Sequence, residues 1–120
     1  MIALDEKFPF VPEVHIFHSR AKADRYIRKH IDTIPRFLDA GAQTWSNDSV
    51  AVVLMEYEGE ATTEAALLVH EAYHVVSYHF GEYLGDEHPS EELMAYGIQM
   101  VSKALFEAHD KWKMKKVSDG

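Results

Sequence analysis

The segment Leu67–Phe80, LLVHEAYHVVSYHF, sets two histidines and a glutamate into an otherwise apolar run. Its apolar residues recur at helical spacing, so the segment is expected to lie within a long helix. Residues four apart project from nearly the same face of a helix, which brings the imidazoles of His70 and His74 together. Burying these groups and Glu71 without partners would be costly in free energy. The helix face therefore lines a cleft, or a ligand holds these groups.

The residues HEAYH form the H-E-x-x-H arrangement of zinc sites. In this arrangement two neutral imidazoles, here His70 and His74, bind one zinc ion. Glu71 is rotated by about 100° from His70, which keeps its carboxylate off the ligand pair yet near a water on the same ion. The carboxylate takes a proton from that water, which then attacks a polarised carbonyl. The motif predicts hydrolysis with Glu71 as the general base.

A catalytic zinc site needs a third protein ligand and leaves a fourth position open for water. Glu92 follows His74 by eighteen residues, in the expected first turn of the next helix, and we predict it as that ligand. Glu91 and His88 remain alternatives, because a shift of one residue at a helix start changes which side chain points inward. Four further histidines show no ligand spacing: His15, His18, His30 and His109.

The rest of the chain shows alternating strand and helix signals. We expect strands at Val14–Phe17 and Val50–Tyr57, extended chain over 36–45, a helix capped by Ser19, the site helix from a cap at Thr62 or Thr63 to about Leu84 and Gly85, and a last helix from Ser90 to about Trp112. A short loop makes the last two helices antiparallel. The order β-α-β-β-α-α predicts the α+β class, with residues 1–120 as one domain.

Composition excludes several function classes. The chain of 120 residues contains no cysteine, which removes disulfides and thiolate metal sites. Its formal net charge is -8, and twelve Asp and Glu but no Lys or Arg fall between Arg36 and Lys103. Such a field repels nucleic acid. No segment has the apolar character of a signal peptide or a membrane span. We expect neither a nucleic-acid nor a membrane partner.

Two motifs together carry a resemblance to a known group. HEAYH followed by EELMAY is similar to the zincin metallopeptidases of the gluzincin type, in which a glutamate of a Glu-x-x-Ala pattern on a later helix is the third ligand. More narrowly, GAQTW, AVVLMEYEG, LLVHEAYHV and AYGIQ resemble small phage and prophage proteins described as metallopeptidases. The resemblance implies a minimal zincin-like fold, with a small antiparallel or mixed sheet packed on the H-E-x-x-H helix and a following C-terminal helix.

The same resemblance implies the site and its substrate. His70, His74 and Glu92 would be the Zn²⁺ ligands, and Glu71 the general base. The strand Val50–Tyr57 would line the cleft, where a peptide or protein substrate in extended form pairs along an exposed edge. Because Asp5, Glu6 and Pro9 interrupt the apolar run that a signal peptide needs, we expect a cytoplasmic location, which for a phage-encoded protein is the host cytoplasm.

Tyr96 marks a departure from the gluzincin pattern, which often has an acidic residue soon after Glu-x-x-Ala. Tyr96 follows Glu92 by four residues and so shares its helix face. It could orient a ligand or donate a hydrogen bond to the developing oxyanion, as a catalytic residue. The other interpretation is an ordinary half-buried core tyrosine.

Two alternatives to a zinc hydrolase remain open from the sequence. The first is a catalytically inactive zincin-like protein that binds metal for stability or recognition, because the same ligands serve both kinds of site. The second is an acidic interaction protein of phage origin, which needs no metal. The zinc content of the purified protein separates the second alternative from the others.

Overall fold

The computed structural model describes residues 2–4, 12–83 and 90–119, and for residues 2–4, 82, 83 and 119 the backbone alone. The elements are β1 (Ile2–Leu4), β2 (Glu13–Phe17), α1 (Arg20–His30), β3 (Ala42–Ser46), β4 (Val50–Met55), α2 (Ala61–Tyr78), a π-helical segment (His79–Tyr83) and α3 (Glu91–Asp119). The α+β class is confirmed. Strand β1 was not expected from the sequence.

The four strands form one mixed sheet in the order β1-β2-β4-β3. Strand β2 pairs parallel to β4, whereas β1 on β2 and β3 on β4 are antiparallel. All six residues of β4 are buried, as its continuous apolar run VAVVLM favours for a strand covered on both faces. Because β4 is paired on both sides, the expectation that it lines the cleft as an exposed edge is wrong. Among the described strands, β3 forms that edge.

The two faces of the sheet pack against different helices, as the alternation of side chains along a strand requires. One face packs with α2 and α3 and contributes Val14, Ile16, Ala51, Val53 and Met55. The opposite face packs with α1, where Val52 and Leu54 contact Ala23 and Ile27. The sheet is therefore the middle layer, with the site helix α2 on the face opposite to α1.

Two of the predicted helix caps are confirmed, and one is wrong. Ser19 accepts a hydrogen bond from the N–H of Lys22 at 3.4 Å, and Ser90 accepts one from the N–H of Leu93 at 3.2 Å. Helix α2 begins at Ala61, so the threonines predicted as caps lie inside its first turn. Its start is held by the carboxylate of Glu64, which accepts the N–H of Gly59 at 2.9 Å. A carboxylate reaching back to the preceding turn replaces the threonine cap.

The last two helices differ in length from the sequence expectation. Helix α2 continues after Tyr78 as a π-helical segment, and the predicted end at Leu84 and Gly85 lies outside the described residues. Helix α3 extends to Asp119, beyond the expected end at Trp112. Contacts between the first turn of α2 and the second half of α3 make the two helices antiparallel, as predicted. Within the described ranges, no helix has the length and apolar character to cross a membrane.

Candidate functional site

The two histidines of the H-E-x-x-H motif lie side by side on the exposed face of α2. Their Nε2 atoms are 3.1 Å apart, and the ring planes meet at 73°. Two nitrogens bound to one zinc at about 2.0–2.1 Å each lie roughly 3.3 Å apart. The donor atoms of His70 and His74 are therefore brought together at a separation that fits a shared ion, as the helical spacing predicted.

Glu71 occupies a different environment from the histidines on either side of it in the motif. Its side chain turns toward the sheet, and the residue is only 4% exposed. The hydroxyl of Thr44 on β3 donates a hydrogen bond to Oε1 of Glu71 at 2.7 Å. The carboxylate is thus held in place by the hydroxyl of Thr44. Thr44 was missed by the sequence reasoning, because nothing near it in the chain points to a residue 27 positions away.

A cleft of about 580 Å³ separates the edge strand β3 from the second half of α2. It is lined by Arg36, Leu38 and Ala40 of the segment before β3, by residues 42–46 of β3, and by His70, Glu71, His74 and Tyr78 of α2. The whole H-E-x-x-H constellation therefore opens into one groove, and an edge strand forms its opposite wall. From the sequence, β4 was expected to form this wall. In the structure β4 lies inside the sheet, next to the edge strand β3.

The predicted third ligand is not joined to this group in the structure. Glu91 and Glu92 are both exposed, in the first turn of α3. Within the described residues, no three His, Asp or Glu side chains lie where they could hold one ion. His88 and the rest of the loop over 84–89 fall outside those residues. The structure therefore assembles His70, Glu71 and His74, and the choice of third ligand stays a prediction.

Tyr96 is 57% exposed on α3. The interpretation of this residue as a half-buried core tyrosine is wrong, since the core of this face is filled instead by residues such as Val101 and Leu105. The role of Tyr96 in catalysis stays a prediction.

A second group of titratable side chains, the Glu64 cluster (Glu64, His18, His109 and Lys113), lies under the other end of α2. Nε2 of His109 donates to Oε1 of Glu64 at 2.6 Å, and Lys113 Nζ lies 2.9 and 3.1 Å from the two carboxylate oxygens. Nδ1 of His109 faces Nε2 of His18 at 2.9 Å. The ring of His18 stacks on Trp112 with a centroid distance of 3.8 Å. The cluster therefore joins the turn after β2 to α2 and α3.

The electrostatics of the Glu64 cluster favour one charge state. Burial opposes ionisation of Glu64, but hydrogen bonds from Gly59, Lys113 and His109 outweigh it and lower the pKa of this carboxyl to about 2. Burial, followed by the proximity of His109, lowers the pKa of His18 to about 4. At neutral pH a carboxylate and a neutral His18 therefore face each other across His109. Sequence reasoning missed this cluster, because its hydrogen bonds join residues 45 to 91 positions apart.

Comparison of the chain with protein-family models, with curated proteins and with solved structures finds no match. The chemistry of the cleft is therefore argued from its own residues. Those residues are a histidine pair with converging nitrogens, a buried carboxylate between them in sequence, and a strand edge opposite.

Proposed function

We propose that the protein is a zinc-dependent hydrolase acting on peptides or proteins, with a minimal zincin-like fold. The observation that carries the proposal is the convergence of the motif on one groove. His70 and His74 present their nitrogens 3.1 Å apart, and Glu71 lines the same cleft. These are two of the three protein donors, and the base, that metal-assisted hydrolysis requires.

His70 and His74 would hold the ion, together with Glu92 as the third ligand or with one of its rivals, Glu91 and His88. Imidazole and carboxylate donors suit zinc. A bound zinc ion would supply a Lewis acid for the substrate carbonyl and lower the pKa of a nearby water. Because α3 begins with two adjacent glutamates, a small rotation of its first turn decides which carboxylate faces α2.

Glu71 is the general base of the proposed reaction. Its carboxylate is buried at the cleft wall, and its Oε1 is held by the hydroxyl of Thr44. Among the described residues, that hydroxyl is the partner found for this carboxylate, so Oε2 is available to take the proton of the attacking water. Thr44 is a positioning residue, because it orients Glu71 and does not itself exchange the proton. Tyr96 would stabilise the oxyanion from the α3 side, as the sequence suggested.

The edge strand β3 offers a way to hold an extended substrate. In the described part of the sheet it pairs only with β4, so the backbone groups of its outer side face the cleft region. An extended peptide adds to such an edge through main-chain hydrogen bonds. A scissile bond held there lies across the groove from Glu71, which favours a peptidase over a hydrolase of small substrates.

The variant Glu71→Gln tests the proposal, because a base is dispensable for binding metal but required for turnover. We expect the wild-type protein, purified without a His-tag, to carry about one equivalent of zinc. We expect Glu71→Gln to keep that zinc and to lose hydrolysis of a mixed peptide library by at least about 100-fold. Elemental analysis and mass spectrometry of the cleaved peptides are the two measurements. Glu60→Gln, an exposed glutamate at the start of the same helix, is the matched control.

Three outcomes separate the possible functions. Undiminished hydrolysis by Glu71→Gln overturns the role of this residue. A wild-type protein that binds zinc but cleaves no peptide is an inactive metal-binding protein. A wild-type protein that binds no zinc contradicts the metal site altogether, and an acidic interaction protein is then the better interpretation.

A further inference from the structure

We propose that Arg36 is the substrate anchor of the cleft and selects substrates that carry a carboxylate near the cleaved bond. The inference rests on the proposed function for the reaction, but not for the binding. Arg36 is the only lysine or arginine among the residues lining the groove that holds His70, Glu71 and His74.

The backbone around Arg36 directs its side chain to the cleft. The segment between α1 and β3 alternates in burial, so that Pro35 is buried and Phe37 packs edge-on against Trp45 at 5.4 Å on the α1 side of the sheet. Arg36 and Leu38 are the intervening residues, and both are exposed and line the groove. The buried Pro35 and the partly buried Phe37 thus fix which side of the segment the guanidinium occupies.

The same segment is held in place by three hydrogen bonds that the backbone of Leu38 makes with Gln43 and Arg20. The N–H of Leu38 donates to Oε1 of Gln43 at 2.8 Å, and Nε2 of Gln43 donates back to the carbonyl of Leu38 at 3.0 Å. Arg20 also donates to this carbonyl at 3.0 Å. The wall two residues from Arg36 is therefore positioned before any ligand arrives, which reduces the entropy lost on binding.

Among the residues that the structure describes, Arg36 has no charged partner. Arg20, which also contacts this segment through the Leu38 carbonyl, is committed to Glu56 with two contacts of 2.9 and 3.0 Å. Across the described ranges, by contrast, no acidic side chain forms an ion pair with Arg36. The acidic group of the cleft, Glu71, is turned into the sheet and bonded to Thr44. Arg20 is therefore structural, whereas Arg36 is available to a ligand.

A carboxylate is the ligand chemistry that this arrangement favours. The planar guanidinium presents paired N–H donors that match the two oxygens of a carboxylate. The chain from 37 to 102 contains twelve Asp and Glu but no Lys or Arg. This part of the protein would repel an acidic substrate unless a cation is present locally. Arg36 supplies that cation at the wall of the groove.

The carboxylate can come from an acidic side chain or from the C-terminus of a peptide. Binding is measured to the Glu71→Gln protein as purified, with and without added zinc, so that turnover does not interfere and the result does not depend on the metal. The probes are eight-residue peptides of Ala, Val and Ser. One arm has a free C-terminus and no acidic residue. The other arm has an amidated C-terminus and a single Glu moved through each position. A peptide with an amidated C-terminus and no acidic residue is the reference.

We expect the peptides of one arm to bind roughly 10-fold more tightly than the reference peptide, as a charge-assisted contact at a partly open site gives. Adding Arg36→Gln should remove this preference and leave binding of the reference peptide within about two-fold. Adding Arg36→Lys should retain part of it, and the exposed control Arg28→Gln all of it. The arm that shows the preference identifies the source of the carboxylate.

The proposal is overturned if neither arm binds better than the reference, or if the preference survives Arg36→Gln. The result is separable from the proposed hydrolysis. A preference that depends on Arg36, in a protein that cleaves no peptide in its wild-type form, keeps the carboxylate site and removes the reaction. If the wild-type protein cleaves peptides and Arg36→Gln changes neither binding nor cleavage, the reaction is kept and the carboxylate site is removed.

Discussion

Two histidine pairs in this molecule have nearly the same separation and opposite surroundings. His70 and His74 lie 3.1 Å apart on the exposed face of α2, whereas His18 and His109 lie 2.9 Å apart beneath the packed helices. In the second pair, His109 donates to the carboxylate of Glu64, which also accepts hydrogen bonds from Gly59 and Lys113. The exposed pair has, among the described residues, only its own members as hydrogen-bond partners. A closed cluster contributes stability, and an open pair keeps its donor atoms for a ligand.

The difference follows from the cost of leaving a polar group unpaired. In a buried cluster, removing one member leaves another polar group buried without a hydrogen-bond partner, which lowers the free energy of unfolding. The stability contributions of the members are therefore coupled. In the cleft, water replaces any missing partner at little cost. Substitutions in the two regions should therefore affect different properties: the free energy of unfolding in the Glu64 cluster, and ligand binding or turnover in the cleft.

The largest expected effect is that of Glu64→Ala. Removing this carboxylate leaves His109 and Lys113 without their shared anion and exposes the N–H of Gly59 at the start of α2. The free energy of unfolding should fall by about 3–5 kcal/mol, the range found when a buried pair loses one partner. Chemical denaturation followed by circular dichroism measures it.

The matched control is Glu92→Ala on the exposed first turn of α3. In metal-free protein it should change the free energy of unfolding by no more than about 0.5 kcal/mol. Equal losses for the two variants would remove the contrast between a structural cluster and an open site.

A smaller effect is expected on the pH dependence of stability. The folded-state pKa of His18, about 4, lies below its ordinary value of 6.5, so the unfolded chain binds the extra proton first. The stabilising contribution of neutral His18 is therefore complete above about pH 6.5 and is lost as the pH falls toward 4. The lowered pKa of Glu64, about 2 against 4.5, extends the loss to still lower pH.

The variant His18→Gln isolates the upper part of this dependence. Unfolding curves between pH 7 and 4 should show a shallower decline in this variant than in the wild type, because one proton-binding group is absent from the unfolded chain. After allowance for partial solvent screening, we expect the difference to reach about 1–2 kcal/mol at pH 4. Parallel pH profiles would show that another group causes the acid sensitivity.

The smallest effect on stability is expected at the point where the sheet meets the cleft. Thr44→Val keeps the side-chain shape and removes the hydrogen bond to Glu71, which should cost about 1 kcal/mol in the free energy of unfolding. The proposed hydrolysis should also slow, but by less than in Glu71→Gln, because the base is displaced and not removed. Thermal unfolding and peptide cleavage are measured on the same preparation.

Thr62→Val, at an exposed position of α2, controls for the change of residue type. It should alter neither quantity appreciably. A Thr44→Val protein of reduced stability with full activity would place this hydroxyl outside the reaction.

Local periodicity predicted the parts of the site that belong to one helix. The spacing of His70 and His74 placed their imidazoles together, and the caps at Ser19 and Ser90 were read from single residues next to apolar patterns. These features depend on neighbours within four positions, where the geometry of the chain is fixed in advance.

Long-range pairing was not accessible in the same way. The run VAVVLM of β4 predicts a strand but does not say whether that strand is central or at an edge, and the parallel pairing with β2 decides this. The contact of Thr44 with Glu71 and that of Glu64 with His109 each join separate elements. The relation of Glu92 to α2 is likewise long-range, because its sequence context fixes only its place in the first turn of α3.

The open side of β3 has a consequence for the behaviour of the protein at high concentration. An unpaired strand edge is a template for any extended chain, including a second copy of itself, and so carries a risk of aggregation. Strand β3 has only five residues, and short edge strands limit this risk. A groove that admits substrates through backbone pairing must keep that edge accessible, so solubility and catalysis would set opposing demands on the same five residues.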